Sequence, residues 1–231
     1  MSAALQAVLG AGPLLLDFDG PVCSIFANYP APRVAAELVA QLRAAGVGVP
    51  EAVACEGDPL AVLRWTGAAC GPELTAAMED ALCAAELRAV ESAAPTPYGR
   101  EVILGARSAG LSVAVVSNNS AEAVAAYLSA HGLADQVAPI VGRAYADPSR
   151  MKPNPEPILA AAHVLGVNPA ACVLIGDSMS DIESARAAGV CVIGYANRPS
   201  KVAAFAGADV VITTMEDVAA VLSSMSATRP E

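Results

Sequence analysis

Hydrophobic and polar positions in this chain follow two alternating periods over most of its length. Short apolar runs, rich in β-branched residues, recur at 13–18 (PLLLDF), 111–117 (LSVAVVS), 138–142 (APIVG), 171–176 (ACVLIG), 190–195 (VCVIGY) and 209–213 (DVVIT). Runs of this length bounded by turn residues predict buried strands. Between them, from about Thr96 onward, lie alanine-rich stretches with helical spacing, such as SAEAVAAYLSAHG (120–132) and NPEPILAAAHVLG (154–166), with Gly132, Gly166 and Gly189 at helix ends. Strand and helix in alternation imply right-handed crossovers. The expected fold is therefore α/β, a doubly wound parallel sheet covered on both faces.

That rhythm breaks between residues 22 and 97. APRVAAELVAQLRAAG (31–46) and GPELTAAMEDALCAAELRAVESA (71–93) read as amphipathic helices with no strong strand run between them, and APTPYG (94–99) closes the stretch as a proline-rich hinge. The pattern predicts a small helical domain at 22–97, inserted after the first strand of a core formed by 1–21 and 98–231.

Composition narrows the class. Of 231 residues, 55% are hydrophobic but only 4% aromatic, which suits helices packed closely on a sheet. No apolar run approaches the roughly 20 residues that span a bilayer. The opening MSAALQAVLGAG carries no basic side chain and does not resemble a secretory leader. Six cysteines lie far apart, with no pair at zinc-ligand spacing, so a reduced, cytoplasmic protein is expected. A net charge of −10 without a basic stripe argues against nucleic acid as a partner. Oligomeric state has no signature in the pattern.

In doubly wound sheets, ligands sit outside the carboxyl ends of the strands. Polar residues that end apolar runs are therefore the candidates: Asp17 and Asp19, then Ser117 and Asn118, then Asp177. Carboxylates gathered there repel by about 4 kcal/mol per pair at 4 Å and an effective dielectric near 20. Protonation relieves this, and so does a hard cation. An all-oxygen site with few carboxylates suits magnesium, with Asp17, Asp177 and Asp181 as candidate ligands. Ser117 and Asn118 stand where a strand turns into a helix, so hydroxyl and N–H groups there can face an anion. Gly20 lets the backbone approach a ligand closely. Lys152 is one of two lysines, with Lys201, and sits before a proline, just ahead of a helix start.

The segments DFDG (17–20), VVSNN (115–119), KPNPEP (152–157) and IGDSMSDIESARAAG (175–189) resemble, in order, the four motifs of the haloacid dehalogenase superfamily. The resemblance covers residues 13 to roughly 213. The helical insertion sits where the branch containing phosphoglycolate phosphatases and β-phosphoglucomutases carries its cap. It implies a magnesium-dependent phosphatase acting on a small phosphorylated metabolite through an aspartyl-phosphate. Asp17 would be the nucleophile. Asp19 would serve as acid and base, its carbonyl also reaching magnesium. Ser117 and Lys152 would hold the transferring phosphoryl group, and Asp177 would ligate the metal. Asp181 would support that site directly or through water and Lys152. Gly20 and Asn118 would face the substrate; in the cap, Tyr29, Arg33, Arg64 and Trp65 are candidates to join them, with Trp65 equally a core aromatic and both arginines equally solvated helix charges.

Within the superfamily, Asp19 argues against dehalogenation, since a departing halide needs no proton donor. Residues 22–97 contain no lysine for a Schiff base and no histidine. Four arginines there (Arg33, Arg43, Arg64, Arg88) keep a sugar-phosphate mutase as the alternative. A non-catalytic binding protein on the same fold is a further alternative, disfavoured by the complete set of Asp17, Asp19 and Lys152. Pro21 stands where the family most often has threonine; it keeps the turn and loses a hydroxyl and an N–H.

Overall fold

A computed structural model describes residues 2–227; Met1 and 228–231, which fall in the expected core segments, lie outside the described residues. The chain opens with α1 (Ser2–Leu9) and β1 (Leu14–Leu16), followed by β2 (Cys23–Ser24). Four helices come next: α2 (Ala31–Ala44), α3 (Glu51–Ala54), α4 (Pro59–Ala69) and α5 (Pro72–Val90). After β3 (Ala94–Pro95) the alternation begins, with α6 (Gly99–Ser108), β4 (Val113–Val116), α7 (Ala121–Ala130), β5 (Ile140–Val141), α8 (Glu156–Leu165) and β6 (Val173–Gly176). It ends with α9 (Met179–Ala188), β7 (Cys191–Tyr195), α10 (Pro199–Ala204), β8 (Val210–Ile212) and α11 (Glu216–Ala227).

The six main strands form one sheet in the order β5-β4-β1-β6-β7-β8, every neighbouring pair parallel. Winding reverses at β1: β4 and β5 extend to one side, and β6, β7 and β8 to the other. Alternation along β1 explains its three leucines. Leu14 and Leu16 face a layer built by α1, α6, α7 and α11, where Leu5, Val102, Val124 and Leu222 are buried. Leu15 faces the opposite layer, with Ile158 of α8 and Ile182 of α9. A strand buried on both faces reads as a continuous apolar run, which is why polarity appears only at its end.

Helices α2 to α5 have a core of their own, including Val34, Leu38, Leu42, Val62, Leu63 and Leu82. The chain leaves for them and returns through the antiparallel pair β2–β3, in which Cys23 faces Pro95 and Ser24 faces Ala94. The architecture is thus a doubly wound parallel sheet with an inserted helical cap. The sequence pattern did not anticipate α1, α3 or α4. In hindsight α4 has a local start signal, since the Asp58 side chain accepts the Leu60 N–H at 2.8 Å and Pro59 opens the first turn. Its brief apolar period, interrupted by Gly67, hid it. Among the described residues no helix is long and apolar enough to cross a membrane.

Candidate active site

Because β4, β1 and β6 are neighbours, their carboxyl ends deliver Ser117, Asp17 and Asp177 to one edge of the sheet. Leu16 pairs with Val115 on one side and Ile175 on the other, so the next residues along emerge together. The Asp17 N–H still donates to the Ile175 carbonyl at 2.9 Å, and its Oδ1 accepts the Phe18 N–H at 2.7 Å. Lys152 arrives from the loop between β5 and α8 and is only 1% exposed. Its Nζ lies 2.5 Å from Asp181 Oδ1, 3.0 Å from Asp17 Oδ1 and 2.9 Å from the Val116 carbonyl. The three donors of an ammonium are fully used. The Asn118 amide clasps the Lys152 backbone, its Oδ1 accepting the N–H at 2.9 Å and its Nδ2 donating to the carbonyl at 3.2 Å. That side chain, expected to face substrate, lines the cavity over the site and also holds the lysine.

The site is short of positive charge. Burial pushes the Asp17 carboxyl upward, Asp181 and Asp177 push it further, and Lys152 opposes them. Burial alone would lower the Lys152 ammonium, but Asp17 and Asp181 together reverse that and hold it above its ordinary range. Asp19 is pushed up to about 6, chiefly by burial, although its Oδ1 accepts the Ile25 N–H at 3.0 Å. On the far side, Lys201 of α10 reaches Asp177, with Nζ 2.7 Å from Oδ2 and 2.6 Å from the carbonyl oxygen. Asn197 donates to the same Oδ2 at 2.9 Å. Four carboxylates (Asp17, Asp19, Asp177, Asp181) face two lysines, leaving two negative charges when all are ionised.

Asp17, Asp177 and Asp181 each bring a carboxylate oxygen within 4.8 Å of the others. The residues fit a small divalent cation: the donors are all oxygen, and the charge excess matches it. Both Asp181 oxygens are already engaged. Oδ1 holds Lys152, and Oδ2 accepts the Ser178 hydroxyl at 2.6 Å and N–H at 3.0 Å in a capping box that starts α9. Asp17 and Asp177 are therefore the freer pair.

Gly20 packs against Asp177. Its φ is +115°, and a Cβ would stand 2.4 Å from Asp177 Cγ and 2.6 Å from Oδ1. Gly20→Ala is expected to cost at least about 2 kcal/mol from the backbone conformation and contact together. Turnover should fall with it as Asp177 shifts. Urea denaturation alongside initial rates checks this; wild-type values in both would remove any need for glycine there.

Over the edge lies a cavity of about 820 Å³ between strand ends and cap. Asp17, Asp19, Ser117, Lys152 and Asp177 form its floor, while Leu60 and Arg64 of α4 line the cap side. Arg64 donates through Nη2 to the Lys152 carbonyl at 3.1 Å. Arg33 is not brought to this cavity. It is exposed on α2, paired with Glu37 at 2.9 Å, with its guanidinium carbon 5.3 Å from the Tyr29 ring centroid. Trp65 packs against the cap's own core. Arg198, which the sequence reading passed over, lines the cavity just ahead of α10.

Residues 61–189 match the family model for haloacid dehalogenase-like hydrolases, more than half of the chain. The chain belongs to this family. The matched stretch holds three of the four motifs; Asp17–Gly20 precede it and enter through the sheet geometry. This haloacid dehalogenase-like hydrolase is similar to the phosphoglycolate phosphatase of Salmonella typhi, 31% identical over 124 residues that make up 53% of this chain and 48% of that one. The alignment spans about half the length of the curated relatives it matches. In structure it is similar to CbbY from Rhodobacter sphaeroides in complex with phosphate, with TM-score 0.67 and 21% identity over 88% of this chain and 94% of that one. It is also similar to β-phosphoglucomutase from Clostridium difficile, with TM-score 0.66 and 16% identity over 92% and 97% of the two chains. The two structural likenesses establish the fold.

Proposed function

We propose that this hydrolase is a magnesium-dependent phosphatase that cleaves a small phosphorylated metabolite through an aspartyl-phosphate. The observation that carries the reading is the convergence of Asp17 and Asp19 with Ser117, Lys152 and Asp177 on the floor of one cavity. Asp17 attacks phosphorus, so that a new P–O bond forms as the ester P–O bond breaks, splitting one hard step into two. Asp19 gives its proton to the leaving oxygen. It then takes a proton from the water that attacks the aspartyl-phosphate, releasing inorganic phosphate. Its upward shift to about 6 keeps a share of it protonated near neutral pH, as a general acid requires. To bind the phosphoryl oxygens where charge develops, Lys152 exchanges its contact with Asp17 and the Ser117 hydroxyl turns from Asn119 Oδ1.

Asp17, Asp177 and the Asp19 carbonyl would hold magnesium, which when bound offsets the charge of the phosphoryl group and its nucleophile. Asp181 positions Lys152, and Lys201 with Asn197 orients Asp177. Residues 22–97 act as the cap that closes over substrate and excludes water.

The test is phosphate release from an aryl phosphate and from phosphoglycolate, the substrate for which the sequence relatives are named. Arg64 and Arg198 on the cavity wall suit its second anion. Release that stops on chelation and returns with magnesium is the expected result. Silence on both compounds and on a panel of phosphorylated metabolites, with magnesium present, would overturn the reading.

A further inference from the structure

Between cap and core lies a buried charge cluster that the chemistry above does not use. Glu79 and Glu86 on α5 are 1% and 0% exposed, and both face Arg143 in the loop after β5. Arg143 Nε donates to Glu79 Oε1 at 2.8 Å, and its Nη1 donates to Glu86 Oε1 at 2.9 Å and to the Asn118 carbonyl at 2.7 Å. Glu86 also accepts from the loop that follows β4, taking the Asn119 Nδ2–H at 3.0 Å and the Ser120 N–H at 2.9 Å. On its other side Asn119 meets Ser117. The Ser117 hydroxyl donates to Asn119 Oδ1 at 3.2 Å, and the Asn119 N–H donates to Ser117 Oγ at 3.2 Å.

The direction of this relay follows from donor chemistry. An ionised carboxylate only accepts, and a side-chain amide has one donating and one accepting end. Glu86 therefore forces the NH₂ end of Asn119 toward the cap and its carbonyl end toward Ser117. Both bonds at the Ser117 oxygen are made with Asn119, one donated by the hydroxyl to Oδ1 and one accepted from the backbone N–H, and the Asn119 side chain takes its orientation from Glu86. A glutamine at 86 would accept either orientation of the amide. We propose that Glu86 is a positioning residue, which sets the Ser117 hydroxyl through Asn119 and so couples the cap's seating on the core to the phosphoryl site. This inference rests on the phosphatase reading for the role of Ser117.

Two single variants and their double separate this role from mere fastening of the cap. Asn119→Ala removes the side-chain arm of the relay, keeps the backbone N–H bond to Ser117, and leaves the Glu86–Arg143–Glu79 pairing in place. Glu86→Gln removes the orienting charge. With Ser117 misplaced, kcat on an aryl phosphate should fall about tenfold or more in each, with KM within about twofold. The double variant should be no slower than the slower single, because both act on one chain of contacts. Calorimetry with orthovanadate, which needs no turnover, should show weakened binding in both variants. A wild type that releases no phosphate from any ester would defeat the phosphatase reading by itself, and vanadate affinity then decides the relay. If Asn119→Ala keeps wild-type kcat or wild-type vanadate affinity, the positioning role is wrong, whether or not Glu86→Gln folds. Multiplicative losses in the double variant would also overturn it.

Discussion

Asp17→Asn is expected to abolish phosphate release while leaving the protein at least as stable as the wild type. An amide cannot form the acyl-phosphate, and losing a covalent nucleophile costs about four orders of magnitude or more in turnover. The stability half follows from the sign of the shift. Burial, Asp181 and Asp177 all raise Asp17 above its ordinary value against the opposition of Lys152. A carboxyl whose folded value is raised stabilises the fold only when protonated, so near neutral pH the ionised form is a burden. Asparagine removes that burden, and Lys152 keeps Asp181 as a partner. Melting temperature and initial rate on one preparation decide the matter. A variant that retains a few per cent of the rate would mean that Asp17 is not the nucleophile.

Lys152→Met acts in the opposite direction. The thioether takes the place of the lysine stem but leaves Asp181 and Asp17 without their cation and the Val116 carbonyl without its donor. Breaking one side of a buried ion pair typically costs 3–5 kcal/mol, or roughly 10 °C of melting temperature for a chain of this size. Activity should vanish with the charge that holds the phosphoryl oxygens. The deficit should shrink as pH falls, because the stranded carboxyls are then relieved by protonation. In the wild type, the lysine's raised value means that its contribution is fully present at neutral pH and is lost only above the ordinary lysine range. A melting temperature unchanged by the substitution would show that the ammonium contributes no net stability.

Asp17, Ser117 and Asp177 were legible in the sequence because each ends an apolar run, and a parallel sheet gathers such ends on one edge. Lys152 was legible through its motif. Arg33 was misplaced toward the substrate, although Glu37 stands four residues on, a spacing at which a helix pairs opposite charges. Arg143 and its two glutamates escaped notice for a different reason. Their partners lie 57 and 64 residues away, so only packing brings them together. The one local hint is that Glu79 and Glu86, seven apart, lie on one face of α5 beside the apolar stripe of Met78, Leu82 and Ala85. Lys201 was visible only as a second lysine, since nothing in its neighbourhood points toward Asp177.

The two-residue ribbon of β2 and β3 has a consequence for how such proteins diversify. Since Cys23 pairs with Pro95 and Ser24 with Ala94, the chain enters and leaves the cap about one strand spacing apart, roughly 5 Å. A foreign helical segment with similarly close ends can thus be grafted there without disturbing the register of β1 against β4 or β6. Ribbon geometry is only half of the requirement. A graft lacking an acid opposite Arg143 would bury an unmatched guanidinium beside Asn118. Compatible caps must therefore carry their own counter-ion, a constraint that narrows which modules can be exchanged.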